Sequence, residues 1–252
     1  MGGTLTWLVW GPLAVEMAGS PAAWPWPWPL FRAAHPGLAR FRFALEVTTA
    51  AQAGQAGPLR KDGVRYVGPG FEVIPAEGGY QARVETPVAA MGALAAALVD
   101  RSVREPFAIA HAALLAVGDC GVLAAGPSGA GKSTLAARAG RRALGSNAVL
   151  LWGGAEVWAL PLPLTGRGDA AVGVRAVRLV GAWMPGVRPK STTEAGLVAR
   201  WSGVLAAAVG GSAPLERAWW LARRVRARWR GGQYLSQTSD GVPGLARPPQ
   251  EA

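Results

Sequence analysis

Nine consecutive residues, Gly126-Pro127-Ser128-Gly129-Ala130-Gly131-Lys132-Ser133-Thr134, satisfy the pattern G-x-x-x-x-G-K-[ST] at Gly126, Gly131, Lys132 and Ser133. An apolar run, Val122-Leu123-Ala124-Ala125, leads into them, and the helix formers Leu135-Ala136-Ala137-Arg138 follow. That order restricts the local chain to strand, glycine-rich turn and helix. Loop amides with little side chain in the way then converge on phosphate oxygens at the positive end of the helix. Lys132 is expected against the β and γ phosphates, and the Ser133 hydroxyl on magnesium. The nine residues together are the expected cradle for a purine nucleotide, ATP with Mg2+.

The chain around this loop is 252 residues long, enough for one large domain or for a small domain beside a nucleotide-binding one. Half of it is hydrophobic and 16% charged, with 35 glycines and 20 prolines, which suits a compact, loop-rich globular protein. The net charge of +11 is almost wholly arginine, because Lys61, Lys132 and Lys190 are the only lysines. Two origins stay open: the coding bias of a GC-rich genome, or an acidic partner drawn to a basic face. Cys120 is the single cysteine, so no internal disulfide forms and a cytoplasmic location is expected. Residues 5–15 are apolar but lack a basic leader, are broken by Gly11-Pro12 and precede Glu16, so they read as a first strand. No window reaches the ~18 uninterrupted apolar residues of a membrane span, and no membrane partner is expected.

Up to residue 87 the chain alternates in short runs, such as Phe41-Arg42-Phe43-Ala44-Leu45-Glu46-Val47 and Tyr80-Gln81-Ala82-Arg83-Val84-Glu85, punctuated by Gly, Pro and Asp-Gly. A small, mostly antiparallel β lobe over 1–87 is predicted. Within it Trp24-Pro25-Trp26-Pro27-Trp28-Pro29 is extended by its prolines, either an exposed aromatic ladder or a strap packed on the lobe. Residues 88–101, with Val88, Met91, Leu94 and Leu98, carry helical spacing and predict a helix joining two lobes. The nucleotide domain is then placed at 88–235, with a flexible tail at 236–252. Inside it, residues 107–117 and 121–125 read as strands about a turn at Gly118-Asp119, and 135–144 as a helix. A hairpin follows at 149–160 about Gly153-Gly154, with further strand near 172–180. Two helices close the domain, one apolar at 197–209 and one basic at 215–230.

The loop leaves the fate of the γ phosphate open, since transporter ATPases, GTPases and kinases share it. Arg230-Gly231-Gly232-Gln233 only partly echoes a transporter signature and lies too near the end for the strand and carboxylates that must follow. The Asn-Lys-x-Asp tetrapeptide that reads guanine is absent.

The stretch His111-Ala112-Ala113-Leu114-Leu115-Ala116-Val117-Gly118-Asp119-Cys120-Gly121-Val122-Leu123-Ala124-Ala125-Gly126, running into the loop, resembles the HPr kinase/phosphorylase family and its HPr-kinase-like bacterial relatives. There too a histidine opens a strand, a glycine turn follows, and a Gly-Val-Leu strand enters Gly-x-Ser-Gly-x-Gly-Lys-Ser. The similarity spans residues 1 to about 165. It implies an α/β fold, a P-loop nucleotide-binding domain of the HPr kinase/phosphoenolpyruvate-carboxykinase type with a small N-terminal mostly-β lobe. It further implies an ATP-dependent kinase that phosphorylates a serine hydroxyl on a small protein or peptide, as in relatives similar to kinases of ribosomally made peptides such as lasso peptides. By the same resemblance Lys132 stabilises the transferring phosphate, Ser133 holds magnesium, and His111 lines the site near the γ phosphate.

One position departs from that pattern. Where the family carries an Asp-Asp or Asp-Asn pair, the first carboxylate receiving the serine proton, this chain has Ser146-Asn147 after a shorter link. Asn147 still suits magnesium, but neither residue is a base near neutral pH. Glu156 and Asp169 are the nearest downstream acids, Glu156 reading as a hairpin surface residue. The alternative is therefore a catalytically degenerate ATP-binding regulatory or scaffold protein, with simple ATP hydrolysis a third reading. In residues 215–230, Arg217, Arg223, Arg224, Arg226, Arg228 and Arg230 surround a Leu221, Val225, Trp229 stripe. That helix reads either as a solvated cover or as a clamp for phosphates or an acidic peptide. No nucleic-acid-binding module is recognisable, and self-association is left open.

Overall fold

The computed structural model describes residues 6–18, 28–54, 59–102, 104–105, 107–125, 131–146, 148–153, 156–162, 164, 175–183, 235–237 and 243–245. Within them the described chain up to Glu105 forms one compact unit and the later elements a second.

The first unit is an eight-stranded sheet in the order β3-β1-β2-β4-β8-β7-β6-β5, from β1 (Thr6–Trp10), β2 (Leu13–Ala18), β3 (Arg32–Ala33), β4 (Phe41–Thr49), β5 (Arg60–Asp62), β6 (Arg65–Gly68), β7 (Phe71–Ala76) and β8 (Gly79–Val84). Alternation decides which face is buried: Phe41, Phe43, Leu45 and Val47 point inward while Arg42 and Glu46 point out. Five of its pairings are antiparallel, but β2, β4 and β8 run parallel, so the sheet is mixed. Helix α1 (Pro87–Ser102) packs on β4, β6, β7 and β8. It packs within the first unit and is the last element before the second unit begins at Pro106. The Phe71 ring lies against Gly92 of α1 and Gly68, where any added Cβ would collide with it.

The second unit is a seven-stranded sheet in the order β12-β10-β11-β15-β14-β13-β9. Its strands are β9 (Phe107–Ala110), β10 (Ala112–Val117), β11 (Cys120–Ala125), β12 (Ala143–Gly145), β13 (Ala148–Gly153), β14 (Val157–Leu162) and β15 (Val177–Trp183). The stretch 107–117, read from sequence as one strand, breaks at His111. Ala110 pairs with Val149 of β13, whereas Ala112 pairs with Ala125 of β11. Two residues span at most ~7 Å, so strands distant in the sheet order meet at this bend. The sheet therefore curls until its β9 end rejoins β10, and Gly145 of β12 lies against Pro161 of β14 with no room for a Cβ.

These sheets overturn the expected α/β P-loop architecture. Among the described residues there are two α-helices, and of the pairings in the second sheet only β11 with β15 is parallel. The physical reason lies in the connections. A parallel α/β sheet needs helical crossovers of a dozen or more residues, whereas β10–β11 and β13–β14 are joined by hairpin turns that leave adjacent strands antiparallel. The one helix here, α2 (Lys132–Ala139), returns the chain to β12, which runs antiparallel to β10. It is also shorter than the helix predicted over 135–144. Gly140 takes φ 54° and ends it, and a 3-10 turn, Gly140–Arg142, feeds β12. A small hairpin, β16 (Leu235–Gln237) with β17 (Pro243–Leu245), belongs to the second unit. The helices predicted at 197–209 and 215–230, the Trp24–Pro27 part of the aromatic ladder and the acid Asp169 lie outside the described residues. None of the described helices is long and apolar enough to cross a membrane.

Candidate functional site

Strand β11 ends at Ala125 and α2 begins at Lys132, which gives the glycine-rich stretch a strand before it and a helix behind it. Gly126, Pro127, Ser128, Gly129 and Ala130 lie outside the described residues; Gly131, Lys132, Ser133 and Thr134 lie within them. Packing sets where α2 points: Leu135, Ala136 and Ala139 are buried against Ala113 and Leu115 of β10 and Ala124 of β11. The helix is thereby held along the two strands whose ends flank the loop.

Gly131 adopts φ 84°, a left-handed conformation that costs a residue with Cβ about 1 kcal/mol or more. Its carbonyl accepts the first helical bond from Leu135 N–H at 2.8 Å, and no side chain caps the N-terminus. The amides of Ser133 and Thr134 in this first turn are the donors that a helix start offers an anion. Lys132 is 6% exposed, while Ser133 and Thr134 beside it are exposed. Burial pushes the Lys132 ammonium below its ordinary range, since leaving water penalises the charged form. A nearby polyanion would oppose that shift.

His111 is half-buried at the bend, one residue from the Ala112–Ala125 pair that closes β10 against the loop-bearing strand. Burial, then the Lys132 charge, lower its pKa below the ordinary imidazole value, so it is neutral at pH 7. The β9–β13 register, with Val149 opposite Ala110, directs the link between β12 and β13 past this same bend. Ser146 sits on that link and is buried; Asn147 next to it is outside the described residues. The fold therefore gathers His111, Lys132 and the Ser146 link at one end of the curled sheet.

The described carboxylates of this unit, Asp119 and Glu156, lie at the other end. Asp119, in the β10–β11 turn, pairs with Arg175 at 2.6 Å, and Glu156, before β14, pairs with Arg178 at 3.2 Å. Arg178 also donates to the Cys120 thiol at 3.7 Å. Strand β11 places these acids roughly 17 Å from the loop at about 3.3 Å per residue. Glu156, which the sequence marked as a hairpin surface residue, stands on the hairpin of β13 and β14. Among the described residues, His111 is the neutral titratable group that the fold brings beside Lys132 at the loop end. The apolar pattern did not show the strand break that puts it there; the one sign was the resemblance, in which a histidine opens the strand.

No family model matches the chain, and no curated protein matches it.

Proposed function

We propose that this chain binds ATP with magnesium through residues 126–134 and transfers the γ phosphate to a serine hydroxyl on a small protein or peptide. The observation that carries the reading is the buried Lys132 at the uncapped start of α2, set behind a strand and beside a neutral His111. The residues present suit the nucleotide: first-turn amides and the Lys132 ammonium would hold the phosphates, and the exposed Ser133 hydroxyl would suit magnesium. Magnesium keeps most of its shell as water and phosphate oxygen, so one hydroxyl, with Asn147, is a sufficient protein contribution.

ATP supplies the phosphoryl group, and magnesium neutralises its oxygens. Lys132 and the loop amides orient the chain of phosphates and balance charge as it shifts, which is most of what phosphoryl transfer asks of a protein. His111 accepts the proton that the acceptor hydroxyl sheds, in place of the carboxylate that the resemblance would put at Ser146. A cytoplasmic setting fits the single free thiol, Cys120.

Ser146 favours a second reading, an ATP-dependent regulatory or scaffold protein that has lost transfer. Titration calorimetry with ATP and magnesium, followed by incubation with labelled ATP and serine peptides, separates the two. Transfer of label to serine supports the kinase, and tight binding without label on any acceptor supports the scaffold. Lys132→Ala is expected to weaken ATP at least tenfold, and undiminished affinity in that variant would overturn both.

A further inference from the structure

From Gly121 to Ala155 the chain carries no Asp or Glu, yet it carries Lys132, Arg138, Arg141 and Arg142. The two arginines of β15 and its approach, Arg175 and Arg178, are already matched by Asp119 and Glu156. Arg138 and Arg141 are exposed and form no ion pair or hydrogen bond to any described residue; Arg142 beside them is exposed as well. The helix dipole accounts for one of the three, because only Arg138 lies in the last turn of α2; the others follow in the 3-10 turn. Among the described residues of the second unit, the arginines without a partner, Arg138 and Arg141, therefore stand at and beyond the C-terminal end of the helix that starts at Lys132.

We propose that Arg138 and Arg141, with Arg142, dock an acidic stretch of the peptide that receives the phosphate. This rests on the kinase reading above and adds the substrate's chemistry to it. Guanidinium groups engage carboxylates through paired N–H donors, and exposed ones such as Arg138 and Arg141, which no described acid pairs, attract them. The helix sets the spacing. Arg138 is six residues beyond Lys132, or about 9 Å along the axis, and the 3-10 turn extends this to roughly 15 Å. An extended peptide covers that in three to five residues at about 3.3 Å each. The acidic side chains therefore belong three to five positions from the acceptor serine. A single-stranded nucleic acid fits less well, since residues 132–142 contain no aromatic side chain on which bases could stack.

The test uses the full chain and fluorescein-labelled serine peptides read by anisotropy, so binding is measured without transfer. One peptide carries Asp and Glu three to five positions on both sides of the serine; its control carries Asn and Gln. The acidic peptide is expected to bind roughly tenfold more tightly at 50 mM salt, with the gap closing at 500 mM. Arg138→Gln/Arg141→Gln should erase the gap while ATP affinity, the check on folding, stays unchanged. Equal binding of the two peptides, a gap that survives the double substitution, or an unlabelled oligonucleotide that displaces the acidic peptide at lower concentration than the unlabelled peptide does would overturn the proposal. Docking as expected without label transfer would instead count against the kinase reading alone.

Discussion

Asp100 shows how much one side chain holds in the first unit. Its buried carboxylate, on α1, accepts the Tyr66 hydroxyl from β6 and the Tyr80 hydroxyl from β8, both at 2.8 Å, with Arg104 3.5 Å away. Asp100→Ala would strand two buried phenols and is expected to cost about 2–4 kcal/mol in urea unfolding. Burial first, then the Asp100 bond and charge, push both tyrosine pKa values up. The folded state thus holds the neutral phenol more firmly than the unfolded chain does. That stability is complete below the unfolded value of about 10 and drains away as pH rises through and beyond it. Urea midpoints should stay level from pH 8 to 9.5 and drop by pH 11, less steeply in Tyr66→Phe/Tyr80→Phe. His111 shifts the other way. With its pKa lowered, the basic form persists below the ordinary value near 6.5, so transfer should be flat from pH 8 to 6.5 and fall only at more acid pH. His111→Asn is expected to reduce kcat about 100-fold, the low end for a general base, with little change in the affinity for ATP.

At the level of elements, the bend between β9 and β10 is what turns a sheet into a site. It closes the second sheet and leads the Ser146 link past the loop end. Gly145 facing Pro161 is the contact that tests this closure. Gly145→Val would wedge β12 from β14 and is expected to cost about 1–3 kcal/mol, read as a lowered urea midpoint. Gly131→Ala differs in kind. No atom lies within 4 Å of where its Cβ would be, so the penalty is backbone strain alone, about 1–2 kcal/mol, falling on the turn that presents the first-turn amides. It should weaken ATP more than Gly145→Val does.

At the level of the molecule, ligand binding is the measurement that joins the site to the fold. ATP with magnesium at 100 times its dissociation constant should add about 2.7 kcal/mol to the stability of the second unit. A rise in Tm seen in the intact chain and lost in Lys132→Ala would check it. The net charge of +11 gives the protein a positive field in which any acidic ligand binds more weakly as salt rises.

What the sequence determined on its own is local. Gly131, Lys132 and Ser133 after an apolar run are enough to specify a strand, a turn and a helix start, because those preferences act over a few residues. The alternation along β4 and the helical spacing of α1 are equally legible, since each reports a face to be buried. The expected α/β architecture failed because pairing is not written in any one strand. Residues 107–117 look like one continuous apolar strand, and only the partners on either side, β13 and β11, make it turn at His111. The tertiary structure alone decided that the sheet curls shut, that α1 packs within the first unit, and that Asp119 and Glu156 stand at the far end from the loop. All three depend on contacts between segments far apart in the chain, where the free energy of burial overrides local preference.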